Sequence, residues 1–398
     1  MNLTAGRLTT IAVLWAAPFA LHAQFDFKVA GRDVQVHSFA SQGYLYGDVN
    51  HFLTVRNGGS FAMTDGGLNI TTKITDNFRV GAQLYDRSIG KLGKGTVTLD
   101  WAFGDYKFRD WIGVRAGKVK TALGLYNDTQ DMPFLHTWAM MPQSMYPIDL
   151  RGNTIAHVGG DVYGNIAAKR LGSFAYTAYV GQRPSDPTGG YAFGLLASGG
   201  VHIVSMGGLV AGADLRWNTP LKGLTAGASF MDQDITLNGV KVTPAAAATP
   251  HFTTKKNETY AYYVTYSLGN LQLDGEYRRN WKVVVADPGK VPGGNPADAR
   301  SWYTSAAYRF CKWFELGTYH SRFYNDWGTL HSANTNHIFD QSFTARFDLT
   351  KFWNVKIERH FLDGYGVSGS FQGFYAAQNR AGFQPKTNVW MVRTGFNF

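Results

Sequence analysis

The sequence has a single cysteine, Cys311, so no disulfide can close within the chain. That cysteine lies far from the N-terminus, out of reach of a lipidation site there. The longest apolar run, residues 11–21, is too short for a membrane-crossing helix, which needs about 20 apolar residues in succession. A helical membrane protein is therefore excluded. Charged residues are scarce, at 17%, and the basic ones are scattered singly, without the aromatic-interleaved runs of a nucleic-acid groove, so no nucleic-acid partner is expected. Catalytic and metal spacings are missing too. There is no GxSxG, HExxH or CxxC, and the histidines, among them His136, His157, His320 and His360, stand apart. No enzyme, cofactor or metal site is expected.

What is present begins at the N-terminus. Arg7 is the only charge in residues 1–23, an apolar run follows it, and Ala23 precedes Gln24. That is the layout of a secretory signal peptide, expected to be removed after Ala23 to leave residues 24–398 as one domain. An exported chain without disulfides or helices needs another network to hold it. The 46 glycines, 21 tyrosines, 27 phenylalanines and 11 tryptophans fit a sheet whose outer face meets lipid and whose rims carry aromatic belts. The formal charge of +10 points to anionic partners.

A period of two runs through most of the chain. Phe78, Val80, Ala82 and Leu84 alternate with Arg79, Gly81, Gln83 and Tyr85, so greasy and polar side chains fall on opposite faces of a strand. Val97, Leu99, Trp101 and Phe103 read as a greasy face against Thr96, Thr98 and Asp100, and Leu209 to Trp217 repeats the pattern. The breaks alternate as well. Short turns are expected at 76–77, 104–110, 167–172, 218–223, 269–270, 311–312 and 350–354. Longer connections rich in Gly, Pro and Asn are expected at 47–60, 88–95, 119–153, 184–207, 235–257, 285–299, 326–336 and 363–386. This order implies an all-β fold, a transmembrane antiparallel β-barrel of about 16 strands with short periplasmic turns and long external loops. The first strand should begin at Arg32 and pair with the last, which ends at Phe398, closing the sheet. The setting is the bacterial outer membrane, with its lipid and lipopolysaccharide as surroundings.

Sixteen strands enclose a lumen too wide for their own side chains to fill. The third long connection, 119–153, holds Trp138, Met140, Met141 and Tyr146 together with charges, and is expected to fold inward and narrow the lumen. Arg115, Lys118, Lys120 and Arg151 against Asp128, Asp131 and Asp149 are the expected pore constriction, with a field across it. By the alternation, the wall should turn Arg79, Arg87, Arg216, Arg278, Lys282, Arg309, Arg346, Lys356 and Arg393 to the lumen. The acids on the same face should be Asp100, Asp161, Asp214, Asp274, Glu276, Glu315 and Glu358.

The stretch from Arg115 to Tyr146, which starts RAGKVKTALGLYND and runs into MPQSMYP, resembles the strand-to-third-loop region of the phosphate-selective porin family. That family comprises the outer-membrane porins O and P and includes the dicarboxylate-linked porins. The resemblance implies a homotrimeric porin whose folded-in third loop forms the eyelet. The phosphate-binding members carry a dense arginine ladder and a lysine cluster there, whereas here Lys118 and Lys120 are followed by Asp128 and Asp131. The expected function is passive diffusion of small hydrophilic, anionic solutes. The other reading of the same pattern is an occluded barrel, its lumen covered by 184–207 and 363–386, serving as a surface structural protein or receptor.

Overall fold

The computed structural model describes residues 25–29, 31–242, 250–286, 295–366 and 373–398, and the expected signal peptide lies outside them. Sixteen strands form the wall. They are β1 (Arg32–Gly47), β2 (Met63–Lys73), β3 (Phe78–Ile89), β4 (Thr98–Arg109), β5 (Ile112–Lys120), β6 (Ala156–Ala167), β7 (Ser173–Gln182) and β8 (Leu209–Asn218), then β9 (Leu224–Gln233), β10 (His251–Leu268), β11 (Leu271–Ala286), β12 (Asn295–Cys311), β13 (Phe314–Tyr324), β14 (His337–Asp348), β15 (Trp353–Asp363) and β16 (Lys386–Asn397). Each pairs antiparallel with the next. β16 returns to β1, with Arg393 opposite Gly43 and Asn397 opposite Phe39, so the barrel has no free edge.

The outward positions of the alternation are apolar and exposed, as at Leu84, Val162, Leu215, Val264, Phe343 and Val392. An aromatic girdle runs around the short-turn rim, including Tyr106, Phe108, Trp111, Trp217, Tyr308 and Trp313. Such a band is stable against lipid and would be costly in water, so the hydrophobic effect here sets the barrel in a bilayer instead of closing a core. The inward positions are polar or packed against the third loop.

Four local features differ from the sequence reading. The turn expected at 104–110 is only 110–111: β4 continues to Arg109 because Tyr106 and Phe108 keep alternating outward into the girdle. Trp101 and Phe103, read as outward, face the lumen. Gln83 pairs with Trp101 and Leu84 with Leu99, so Asp100 is an extra residue, a β-bulge that reverses the parity of everything after it. The connection 184–207 is not irregular; it holds a helix, Gly190–Gly199, and a strand, Val201–Gly207, which pairs with a second loop strand, Thr236–Lys241. Finally, Phe25–Val29 forms a hairpin with the start of β1 ahead of Arg32.

Candidate functional site

The third loop joins β5 to β6 through residues 121–155 and lies inside the barrel. Its entry is set by Gly117, at φ +131, where a Cβ would run into the Ala102 carbonyl of β4. The loop then crosses the lumen. Leu123 packs among Tyr179, Val210, Met231 and Ala261 on β7 to β10. Gly124 donates its N–H to Ser229 Oγ at 2.9 Å, and a Cβ there would strike the Glu276 carboxylate. Farther on, Tyr146 donates to Glu276, and Trp138 meets the ring of Tyr319 edge-on at 5.1 Å.

The central segment is held through its backbone. Lys356 Nζ on β15 donates to the carbonyls of Pro133, His136 and Trp138 at 2.5, 2.6 and 2.8 Å. Two residues along the same strand, the Glu358 carboxylate accepts from the N–H groups of Ala139 and Met140, both at 2.9 Å. Arg346 donates to the His136 carbonyl at 2.8 Å, Arg393 to that of Ala139 at 2.8 Å, and Arg278 to that of Met145 at 2.7 Å, while Arg87 donates to that of Ile148. With Arg216, which donates to the Leu125 carbonyl at 3.3 Å, six of the expected lumen-face cations are thus bound to loop carbonyls. Ionised donors to carbonyls make stronger hydrogen bonds than neutral ones, so the loop backbone is fixed in addition to the contacts of its side chains. Among the other wall cations, Arg309 is paired with Glu315 and Asp348 at the short-turn rim. Lys282 stands opposite the buried Asn257 toward the outer end of β11.

The expected constriction residues separate into three groups. Lys120, Asp131 and Arg151 come together: Lys120 binds Asp131 at 2.8 Å, and Arg151 lies 3.4 Å from the same carboxylate while binding Asp100 with two bonds of 2.9 and 2.8 Å. Gln83 donates to Asp100 and Asp131 at 2.9 and 2.8 Å, and the Arg151 guanidinium rests 3.9 Å from the Tyr85 ring centroid. Burial alone would raise the Asp131 pKa, but Lys120 and Arg151 beside it hold it below the usual carboxylate value. The second group, Arg115 and Asp128, lies on the short-turn side of this network. Arg115 binds Asp161 at 3.1 Å through Nε, and Asp128 is exposed. The remaining two, Asp149 and Lys118, have partners of their own. Asp149 accepts from Tyr375 and from the Gly373 N–H at 2.5 and 2.9 Å, fastening loop 3 to the connection before β16, and burial raises its pKa. Lys118 stands opposite Ala102 and the half-exposed Val158 in the strand pairing, yet its ammonium donates to the Leu99 carbonyl beside the bulge and the residue lines the same small space as Asp100 and Arg151.

The network of Lys120, Asp131, Arg151 and Asp100 separates two spaces. Toward the short turns is a chamber of about 460 Å³, whose charged lining is Arg79, Arg115, Lys120 and Arg216 with Asp128 and Asp214. Toward the loops is a smaller space of about 120 Å³ that includes Tyr85, Arg87, Asp100 and Arg151. The sequence reading did not see Gln83 and Asp100 as parts of the constriction, nor Lys356 and Glu358 as a clamp. Their lumen parity was visible, but their contacts depend on where loop 3 lands.

No protein-family model matches the chain, and no curated protein resembles it in sequence. Solved structures share the fold. OmpT of Vibrio cholerae superposes with a TM-score of 0.58 at 10% identity, covering 94% of this chain and 100% of that one. An anion-selective porin from Comamonas acidovorans gives 0.57 at 12%, covering 92% and 100%. The outer-membrane channel DcaP of Acinetobacter baumannii gives 0.56 at 12%, covering 94% and 99%. A closed sixteen-stranded barrel with an apolar belt, short turns at one rim and a loop folded into the lumen is the porin fold of bacterial outer-membrane barrels.

Proposed function

We propose that this barrel is a narrow diffusion pore for small hydrophilic solutes that favours anions, with the constriction at Lys120, Asp131 and Arg151 and the chamber at Arg115 and Asp128 as its approach. The observation that carries this reading is the chamber lining, four cations against two acids, in a confined space where low-dielectric walls focus the field. The net charge of the chain, +10, works in the same direction. An anion-selective porin among the structural neighbours supports the choice of sign. A phosphate-specific arginine ladder is not favoured, because Arg87, Arg278, Arg346, Lys356 and Arg393 are taken up by loop 3 carbonyls. The assembly we propose is a homotrimer in outer-membrane lipid and lipopolysaccharide, as the description of Vibrio cholerae OmpT in a trimer form supports. The test is the zero-current potential across a planar bilayer under a salt gradient. Anion preference is expected, and cation preference would contradict the proposal.

A further inference from the structure

The chamber below loop 3 has a feature that a water-filled vestibule does not need. The bulge at Asp100 turns Trp101 and Phe103 inward, where their rings stack at 5.3 Å and 23° as part of the chamber wall. Lumen faces of porin-like barrels are polar, and the ordinary place for such rings is the outer belt. Here two aromatic rings stand beside two guanidinium groups. Arg79 lies over the Phe103 ring at 5.5 Å and binds Asp105 through Nη2 at 2.7 Å. Arg115 binds Asp161 through Nε, and its two terminal nitrogens make no other hydrogen bond among the described residues. Those two nitrogens have the fork geometry that grips a carboxylate.

We propose that this chamber is a binding subsite for small aromatic carboxylates. The ring of the solute lies against Phe103 at the aromatic wall, and its carboxylate is taken by Arg115, with Arg79 as the second cation. Arg79 already occupies the Phe103 side of the chamber, so a flat ring carrying one negative end meets both an apolar face and a positive charge. An aliphatic carboxylate keeps only the charge contact, and an aromatic amine keeps only the ring contact and is repelled by the guanidiniums. At about 460 Å³ the chamber is of the size that small-molecule sites occupy. Asp128 and Asp214 also line it, carried by loop 3 and β8, not by the β3, β4 and β5 strands that bear Arg79, the two rings and Arg115. The inference deepens the pore reading by naming a solute class, and it depends on that reading only for the route of entry.

The test is calorimetric titration of the full-length mature barrel in detergent with benzoate, acetate and benzylamine, alongside ion conductance of the same preparation in a bilayer. Benzoate should bind at least about tenfold tighter than either of the others, the factor that about 1.4 kcal/mol gives. Arg115→Gln and Phe103→Leu should each weaken benzoate about tenfold, and Phe103→Leu should leave acetate unchanged. The leucine keeps most of the ring's volume and removes its π face. Should it fail to fold, Arg79→Gln with the three-solute comparison decides the matter. Equal binding of benzoate and acetate, or benzoate binding indifferent to these substitutions, overturns the proposal. Conductance without benzoate binding removes the subsite and keeps the pore; benzoate binding without conductance does the reverse.

Discussion

The two sides of the lumen carry the same kind of residue and put it to different uses. On β14 to β16, Arg346, Lys356 and Arg393 are covered by loop 3 and donate to its carbonyls. On β3 and β5, Arg79 and Arg115 line an open chamber and are paired with Asp105 and Asp161 of the wall. Strand parity is identical in the two sets, and the difference is only whether the loop lies over them. A count of lumen-facing charge therefore does not give the field in a pore. Charges under a docked loop act as structural anchors, and those beyond its carbonyls keep a side open to the chamber.

Disrupting the covered side should have the largest effect. Lys356→Met keeps the volume of the side chain but leaves the carbonyls of Pro133, His136 and Trp138 without their common donor. Removing one member of a buried charged set costs about 3–5 kcal/mol. The loop should leave the wall, single-channel conductance should rise severalfold, and residues 133–140 should become open to protease while the barrel itself stays folded.

On the open side the expected effect is smaller and of another kind. Arg115→Glu reverses one charge in the chamber without touching the loop anchors. The zero-current potential should move toward cation preference, and total conductance should change much less than in Lys356→Met.

The smallest expected effect is a pH dependence at the covered side. Burial holds the His136 ring down at about 4, below its ordinary 6.5, while its Nε2 faces the Thr129 carbonyl at 2.9 Å. The neutral ring is the one that fits the docked loop. Docking is complete above pH 6.5 and weakens as pH falls from 6.5 toward 4, because the released ring takes up a proton that the docked ring refuses. Asp131, held below its ordinary 3.8, contributes docking stability above 3.8 and loses it as pH falls lower still. Bilayer recordings should therefore show more frequent openings at about pH 4.5 than at about pH 7, and His136→Gln should remove most of that difference.

Most of the wall was legible in the sequence. A period of two survives in any composition that must face lipid on one side and water or a loop on the other, so Leu209 to Trp217 and Phe78 to Tyr85 stand on the expected faces. The inversion at Asp100 was not legible, because one extra residue in a strand changes no composition and shows only in the pairing of Gln83 with Trp101. Parity also placed Arg115, Lys356 and Glu358 on the lumen face, but not their partners. Lys356 meets Pro133 across 223 residues of chain, a contact that depends on where the loop lies in the closed barrel. Lys118 illustrates the limit at close range: its strand position is opposite Ala102, yet it lines the small space beside Asp100 and Arg151, which strand parity alone does not give.

The central claim is that loop 3 narrows the lumen and is held there by the wall. Its most direct test is the single-channel conductance of a barrel lacking residues 128–149, bridged by a short flexible linker, against that of the intact protein in the same bilayer. The account predicts a clear rise in conductance with loss of the pH dependence. An unchanged conductance would contradict it.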